Sequence, residues 1–129
     1  LDMSDHFPFA SEDLTYISYQ INFVGGVTKY QCIGLDTNKK AIPLTGISSN
    51  YHPSVAIALL DIPDQVIGTF YKRGPLINAA WSFTSGKIYV GTDGKPTQSL
   101  ADLTVIAPIG YALSTTSFYF DPSLWIIIL

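Results

Sequence analysis

Ile17, Tyr19, Ile21 and Phe23 alternate with Ser18, Gln20 and Asn22, the clearest periodic stretch in the chain. A period of two sends successive side chains to opposite faces, so this stretch predicts a strand with one buried face. Gly25 and Gly26 end it. A second strand is expected in residues 28–35, and Asp36-Thr37-Asn38-Lys39 turns the chain into residues 41–44. Pro43 has no N–H to give to a ladder, which assigns that segment to an edge or an irregular position. Val55-Ala56-Ile57-Ala58-Leu59-Leu60 is apolar throughout and suits a strand buried on both faces, although period alone leaves a short helix open. Further strands are expected in residues 66–73, 87–90, 105–108, 109–114 and 117–120, while residues 99–103 read as one helical turn or a loop. Thr92-Asp93-Gly94-Lys95 predicts a tight hairpin turn, because Asp-Gly accepts the positive φ of type I′.

The sum is an all-β fold, a small β-barrel or β-sandwich of about eight strands. Residues 1–13 read as an extended N-terminal arm, 14–122 as the β domain and 123–129 as an apolar C-terminal tail. An internal echo runs through the domain. Cys32-Ile33-Gly34-Leu35-Asp36 precedes Tyr89-Val90-Gly91-Thr92-Asp93 by 57 positions, and Val55-Ala56-Ile57-Ala58-Leu59 precedes Ile109-Gly110-Tyr111-Ala112-Leu113 by 54. Either the chain holds a two-unit pseudo-repeat whose equivalent strands pair about a pseudo-twofold axis, or two hairpin-like units resemble one another by chance.

Composition adds an expectation about assembly. A chain of 129 residues suits one domain, and 47% hydrophobic residues supply a core. Only 13% are charged, about half the usual share. A small monomer so short of charge covers its surface poorly, which points to an oligomer or a larger assembly. Phe7 and Phe9 on the polar arm must dock on this domain or on a neighbouring subunit. The net charge is −3, and basic residues gather only as Lys39-Lys40 and Lys72-Arg73, so no nucleic-acid partner is expected. The apolar run Leu124, Trp125, Ile126, Ile127, Ile128 and Leu129 is too short to cross a bilayer, and no membrane partner is expected from it.

Candidate chemistry is sparse. His6 and His52 are the only histidines, and no Gly-x-Ser-x-Gly elbow accompanies either. Cys32 lies inside an apolar strand, where a thiol is usually inert. Asp36-Thr37-Asn38 opens like a calcium loop, but Lys39 and Lys40 follow and no Glu closes it. Asp61 and Asp64 flank a proline at a spacing that matches no glycosidase pair. Gly25-Gly26 and Gly91 lack a phosphate-binding pattern. These readings predict no catalytic residue, no metal and no cofactor. Eight tyrosines and two tryptophans leave glycan stacking open, though Trp81 reads better as core and Asn78 as a turn residue.

The order Gly74, Ile77-Asn78, Trp81, Gly86, Ile88-Tyr89-Val90, Asp93-Gly94 and Ile109-Gly110-Tyr111-Ala112-Leu113-Ser114 resembles small β-modules of tailed-bacteriophage virions. Capsid decoration (cement) proteins and domains of phage tail fibres share this character. The resemblance spans residues 16–120, with Ala56 standing where the earlier copy of the last motif would carry glycine. It implies a non-enzymatic virion protein, assembled as a homotrimer on the capsid surface or in a tail appendage. The expected function is capsid decoration that stabilises the assembled head, with the major capsid protein or other virion proteins as partners. The alternative is a tail-fibre or other appendage domain that attaches to host-surface glycans. Partner contacts are expected at Phe7, Phe9, Leu124, Trp125, Ile126, Ile127, Ile128 and Leu129.

Overall fold

The computed structural model describes residues 15–47, 53–123 and 126–128. All regular structure among them is β, in twelve strands and three sheets. The first sheet is built from β1 (Tyr16–Gln20), β2 (Cys32–Leu35), β3 (Ala41–Pro43), β4 (Ala56–Ala58) and β5 (Ile67–Tyr71). The second uses β6 (Gly74–Ile77), β7 (Lys87–Val90), β8 (Pro96–Thr97), β10 (Pro108–Ser114) and β11 (Ser117–Phe120). β9 (Val105–Ile106) pairs with β12 (Ile127–Ile128) in a small third ladder.

The two large sheets share one topology. Their orders are β1-β5-β4-β2-β3 and β6-β11-β10-β7-β8, which become identical when β6, β7, β8, β10 and β11 are set against β1 to β5. Pairing fixes the equivalences. Ile33 lies opposite Ala56 as Ile88 lies opposite Gly110. Ile57 lies opposite Tyr71 as Tyr111 lies opposite Tyr119. The β4/β10 echo thus holds at 54 positions. The β2/β7 echo holds at 55 rather than 57, because the turns decide the register. Asp36 N–H donates to Lys40 O and Lys39 N–H to Asp36 O; Gly91 N–H donates to Lys95 O and Gly94 N–H to Gly91 O, all at 2.8–3.0 Å. Each turn closes on a left-handed residue, Lys39 at φ 60° and Gly94 at φ 84°. Asp93 has no positive φ, so this is a three-residue loop ending in a left-handed bulge residue rather than a type I′ turn.

Short strands account for the rise from the expected eight to twelve. Pro75 and Pro96 hide β6 and β8 in the sequence, yet both strands are sheet edges, as is β3 with Pro43. An edge tolerates proline because one side of the strand needs no N–H. The expected strand over residues 28–35 is shorter, since Tyr30 turns at φ 69° and regular pairing starts at Cys32. Residues 99–103 make a turn closed by Leu103 N–H on Leu100 O at 3.3 Å.

The first sheet curls into a half-barrel. Its rims meet where Ile21, just past β1, bridges Ala41 of β3, and Asn22 N–H donates to Ala41 O at 2.9 Å. Its hollow is narrow and holds Ile33, Ala41, Ala56, Ala58 and Phe70, with Val27 and Ile62 from the flanking loops filling the space. In the second sheet no main-chain bridge is seen at the equivalent place among the described residues. There the Gln98 side-chain amide takes the role, accepting from Thr84 N–H at 2.9 Å and donating to Thr84 O at 2.6 Å.

Alternation sends Cys32, Ile57 and Tyr71 to the outer wall of the first sheet, opposite Ile33, Ala56 and Phe70. These outer residues join Ile88, Val90, Ile109, Phe118 and Phe120 of the second sheet in one core cluster. Ile88, Ala112 and Phe118 are the second sheet's equivalents of the first sheet's inner residues. The outside of one half therefore fills the inside of the other. A pseudo-twofold axis would have buried matching faces, so the halves are related head to tail instead.

Phe118 has no exposed surface and packs among Trp81, Phe83 and Phe120, with ring centroids 5.2, 5.8 and 6.3 Å away. Phe118→Ala should cost about 3–5 kcal/mol, read as a lowered midpoint in urea unfolding with an unchanged slope.

Candidate functional site

Among the described residues, those with chemical potential are engaged in structure. Asp36 is the clearest case. One carboxylate oxygen accepts from the N–H groups of Asn38 and Lys40 at 2.8 and 3.0 Å, the other from Asn22 Nδ2 at 2.8 Å. The Asn22 bond, with lesser help from the Lys40 and Asn38 amides, holds the Asp36 carboxyl below its ordinary range. The side chain thus shapes the β2–β3 turn and fastens it to the rim strand, leaving little coordination capacity for an ion. Asp93 repeats half of this arrangement by accepting from Lys95 N–H at 2.9 Å.

Asp61 and Asp64 likewise cap loops. Asp61 accepts from Lys29 N–H at 2.8 Å; Asp64 accepts from Phe23 N–H at 2.8 Å and from Gln65 Nε2 at 2.9 Å. Among the described residues, no group of three His, Cys, Asp or Glu gathers at metal-binding distance. His6 and His52 lie outside the described residues. Cys32 is fully buried and burial pushes its thiol up to about 12, against the opposing pull of a hydrogen bond with Ser54.

Trp81 packs on the aromatic core, its ring tilted against Phe83 at 5.3 Å and Tyr30 at 5.0 Å. Asn78 builds the preceding turn: its side chain accepts from Ala80 N–H at 3.1 Å and its carbonyl from Trp81 N–H at 3.0 Å. The hollows are shallow. One of about 400 Å³ lies between Phe83–Ser85 and the β10–β11 turn, and a polar one of about 300 Å³ lies beside Asp93, Thr97 and Asp102.

Surface apolarity is more distinctive than any hollow. Of the expected contact residues, Phe7, Phe9, Leu124, Trp125 and Leu129 lie outside the described residues. Ile126 packs on the main core, while Ile127 and Ile128 form β12 and are 43% and 53% exposed. Ile47 is also exposed, and the preceding Gly46 O accepts from the N–H groups of Thr104 and Val105 at the start of β9. A second group lies on the outer face of the second sheet, where Ile77, Tyr111 and Leu113 are exposed and Tyr111 stacks on Tyr119 at 5.6 Å. A third comprises Phe23, Val24, Leu60 and Ile67 around the β4–β5 loop. The sequence pattern singled out only the first of these groups. The second follows from alternation once β6 and β10 are known to be neighbours of β11.

No protein-family model, curated protein or solved structure matches this chain.

Two measurements check this reading. Asp36→Ala should lower the unfolding temperature at neutral pH. Because folding depresses the Asp36 pKa, its contribution is present above the unfolded carboxylate range and fades as pH falls through the folded value, so wild type and variant should converge in acid. Cys32 should resist a thiol reagent such as Ellman's reagent at pH 8 in the native protein and react promptly in denaturant.

Proposed function

We propose that this chain is a non-enzymatic structural module of a bacteriophage particle, a capsid decoration protein that binds and stabilises the assembled head. The observation that carries the reading is the combination of a double-sheet body with a joint core, polar side chains engaged in turns, and grouped apolar side chains on its surface. Such a body suits burial against other proteins better than turnover of a small molecule. The resemblance of residues 16–120 to phage β-modules supplies the kind of assembly. In it the chain acts as an oligomer, a trimer on that resemblance, clasping neighbouring capsid subunits with apolar surface at β12 and with the segments that flank the domain.

The action is mechanical. A protein that binds only the assembled shell stabilises that state by mass action, and each site filled raises the work of pulling subunits apart. Ile127 and Ile128, exposed on β12, support this reading, since removing them from water in a contact is worth about 25 cal/mol per Å² of apolar surface.

The test is sedimentation of purified protein with heads stripped of decoration. Saturable co-sedimentation and a higher temperature of head disruption are expected, with both effects weakened by Ile127→Asp combined with Ile128→Asp. Absence of head binding together with binding to host-surface polysaccharide would move the protein to a tail appendage.

A further inference from the structure

The two large sheets have four edge strands, β1 and β3 in the first and β6 and β8 in the second. An edge offers main-chain N–H and C=O groups to any strand that meets it, and proteins blunt such edges with proline, charge, shortness or a covering group. Three of the four are blunted. β3 carries Pro43, its Ala41 carbonyl accepts from Asn22 N–H, and Lys39 and Lys40 lead into it. β6 carries Pro75, whose carbonyl accepts from the Tyr71 hydroxyl at 3.2 Å, and Arg73 precedes it. β8 is only two residues long, starts at Pro96 and follows Lys95. β1 is the exception, since Tyr16–Gln20 holds neither a proline nor a charge. Its register with β5 shows what it offers. Lys72 N–H donates to Thr15 O and Ile21 N–H to Val66 O, so the odd-numbered residues bond to β5. Bonding alternates along an antiparallel ladder, so the even-numbered residues turn their main-chain groups outward. The row stops at Ile21, which is already bridged to Ala41 of β3. Ser18, exposed, is therefore the midpoint of the open edge.

We infer that β1 pairs with β1 of a second copy, antiparallel and centred on Ser18, so that two first sheets continue into one. The inference goes beyond the capsid reading and does not depend on it. What favours a second copy is that the strand is complementary to itself. About a two-fold axis at Ser18, the two Ser18 residues exchange main-chain hydrogen bonds. On one face Ile17 then lies opposite Tyr19 of the partner subunit, and Tyr19 opposite Ile17 of the partner subunit. Aliphatic and aromatic side chains placed opposite one another stabilise an antiparallel pair. Ile17 and Tyr19 are half-buried residues packed on the first sheet's core, and the added strand continues that cover. On the other face Tyr16 lies opposite Gln20 of the partner subunit, and Ser18 meets its own copy. No like charges are brought together, because the strand has none. Pairing about a two-fold axis closes at two copies, so any threefold contact must use another surface, and β12 stays available for it. Five residues from each chain make a small contact, so the pairing should depend on concentration.

Analytical ultracentrifugation of the full chain over a wide concentration range tests this. The wild-type mass should climb from the 14.1 kDa of one chain towards twice that value. Ser18→Lys sets two like charges together at the axis and should keep the protein a single chain across the same range, with an unchanged circular dichroism spectrum. Ser18→Glu should do the same. An equimolar mixture of the two variants should restore the pair, which a merely destabilised fold would not do. Amide hydrogen exchange of the wild type gives an arm without substitution: the Ser18 amide should exchange freely in dilute protein and slow as concentration rises. A pair that survives Ser18→Lys, or variants that fail to pair when mixed, overturns the inference. So does a Ser18 amide that stays fast at every concentration of the isolated protein. If that amide slowed only on addition of phage heads stripped of decoration, the edge would belong to a strand of another protein and not to a second copy.

Discussion

One packing contact organises this molecule: the outer wall of the first sheet seated in the hollow of the second. Each sheet alone is incomplete. The first carries apolar residues on both faces, Ile33 and Phe70 inward and Cys32 and Ile57 outward. The second curves around Ile88, Phe118 and Phe120, and its loop residues Trp81 and Phe83 share the concavity with the first sheet's wall. Full burial of aliphatic and aromatic side chains is worth about 1.5–3 kcal/mol each, so the joint core dominates the stability of a chain this small. The loop after β7 reinforces the seat. Its Gly94 carbonyl accepts from Cys32 N–H at 2.8 Å and its Asp93 carbonyl from Gln31 Nε2 at 2.9 Å. A side chain at Gly94 would strike the Leu44 carbonyl, which is why the smallest residue closes that loop although Lys39 serves in the other.

The same contact explains the division of labour between polar and apolar groups. Joining two small sheets takes many turns, and turns leave amides that need acceptors. Asp36, Asp61, Asp64, Asp93 and Gln98 answer that need with their side chains. Few polar groups remain for the surface of a chain with 13% charged residues, so aliphatic and tyrosine side chains take up the remainder.

Much of the fold was legible because it rests on local chemistry. The alternation through Ile17, Tyr19 and Ile21 marked β1, and the Asp36 turn and Asp93-Gly94 marked the two equivalent hairpins. Prolines concealed β6 and β8, since sequence shows a missing N–H but not whether the strand sits at an edge. The repeat was visible at β4 and β10, where small residues recur, and misaligned by two at β2 and β7, where matching aspartates hid the equivalence of Asp36 with Gly91. The hand-over of inside to outside was illegible. Cys32 and Lys87 are equivalent positions of unlike character, and only the tertiary contact tells why one may be a thiol and the other a cation. The surface group at Ile77 and Tyr111 was missed for the same reason, because exposure of one face depends on what covers its counterpart.

Val27 and Ile62, bridged to each other inside the first hollow, carry a consequence for how such units can be strung together. A head-to-tail joint can in principle be extended, each unit accepting the wall of the one before. Repeat arrays stop when an end unit is altered so that it accepts no further neighbour. Here the first unit is that end: its own loops occupy the seat a preceding unit would need. Growth in that direction is thereby closed by two side chains.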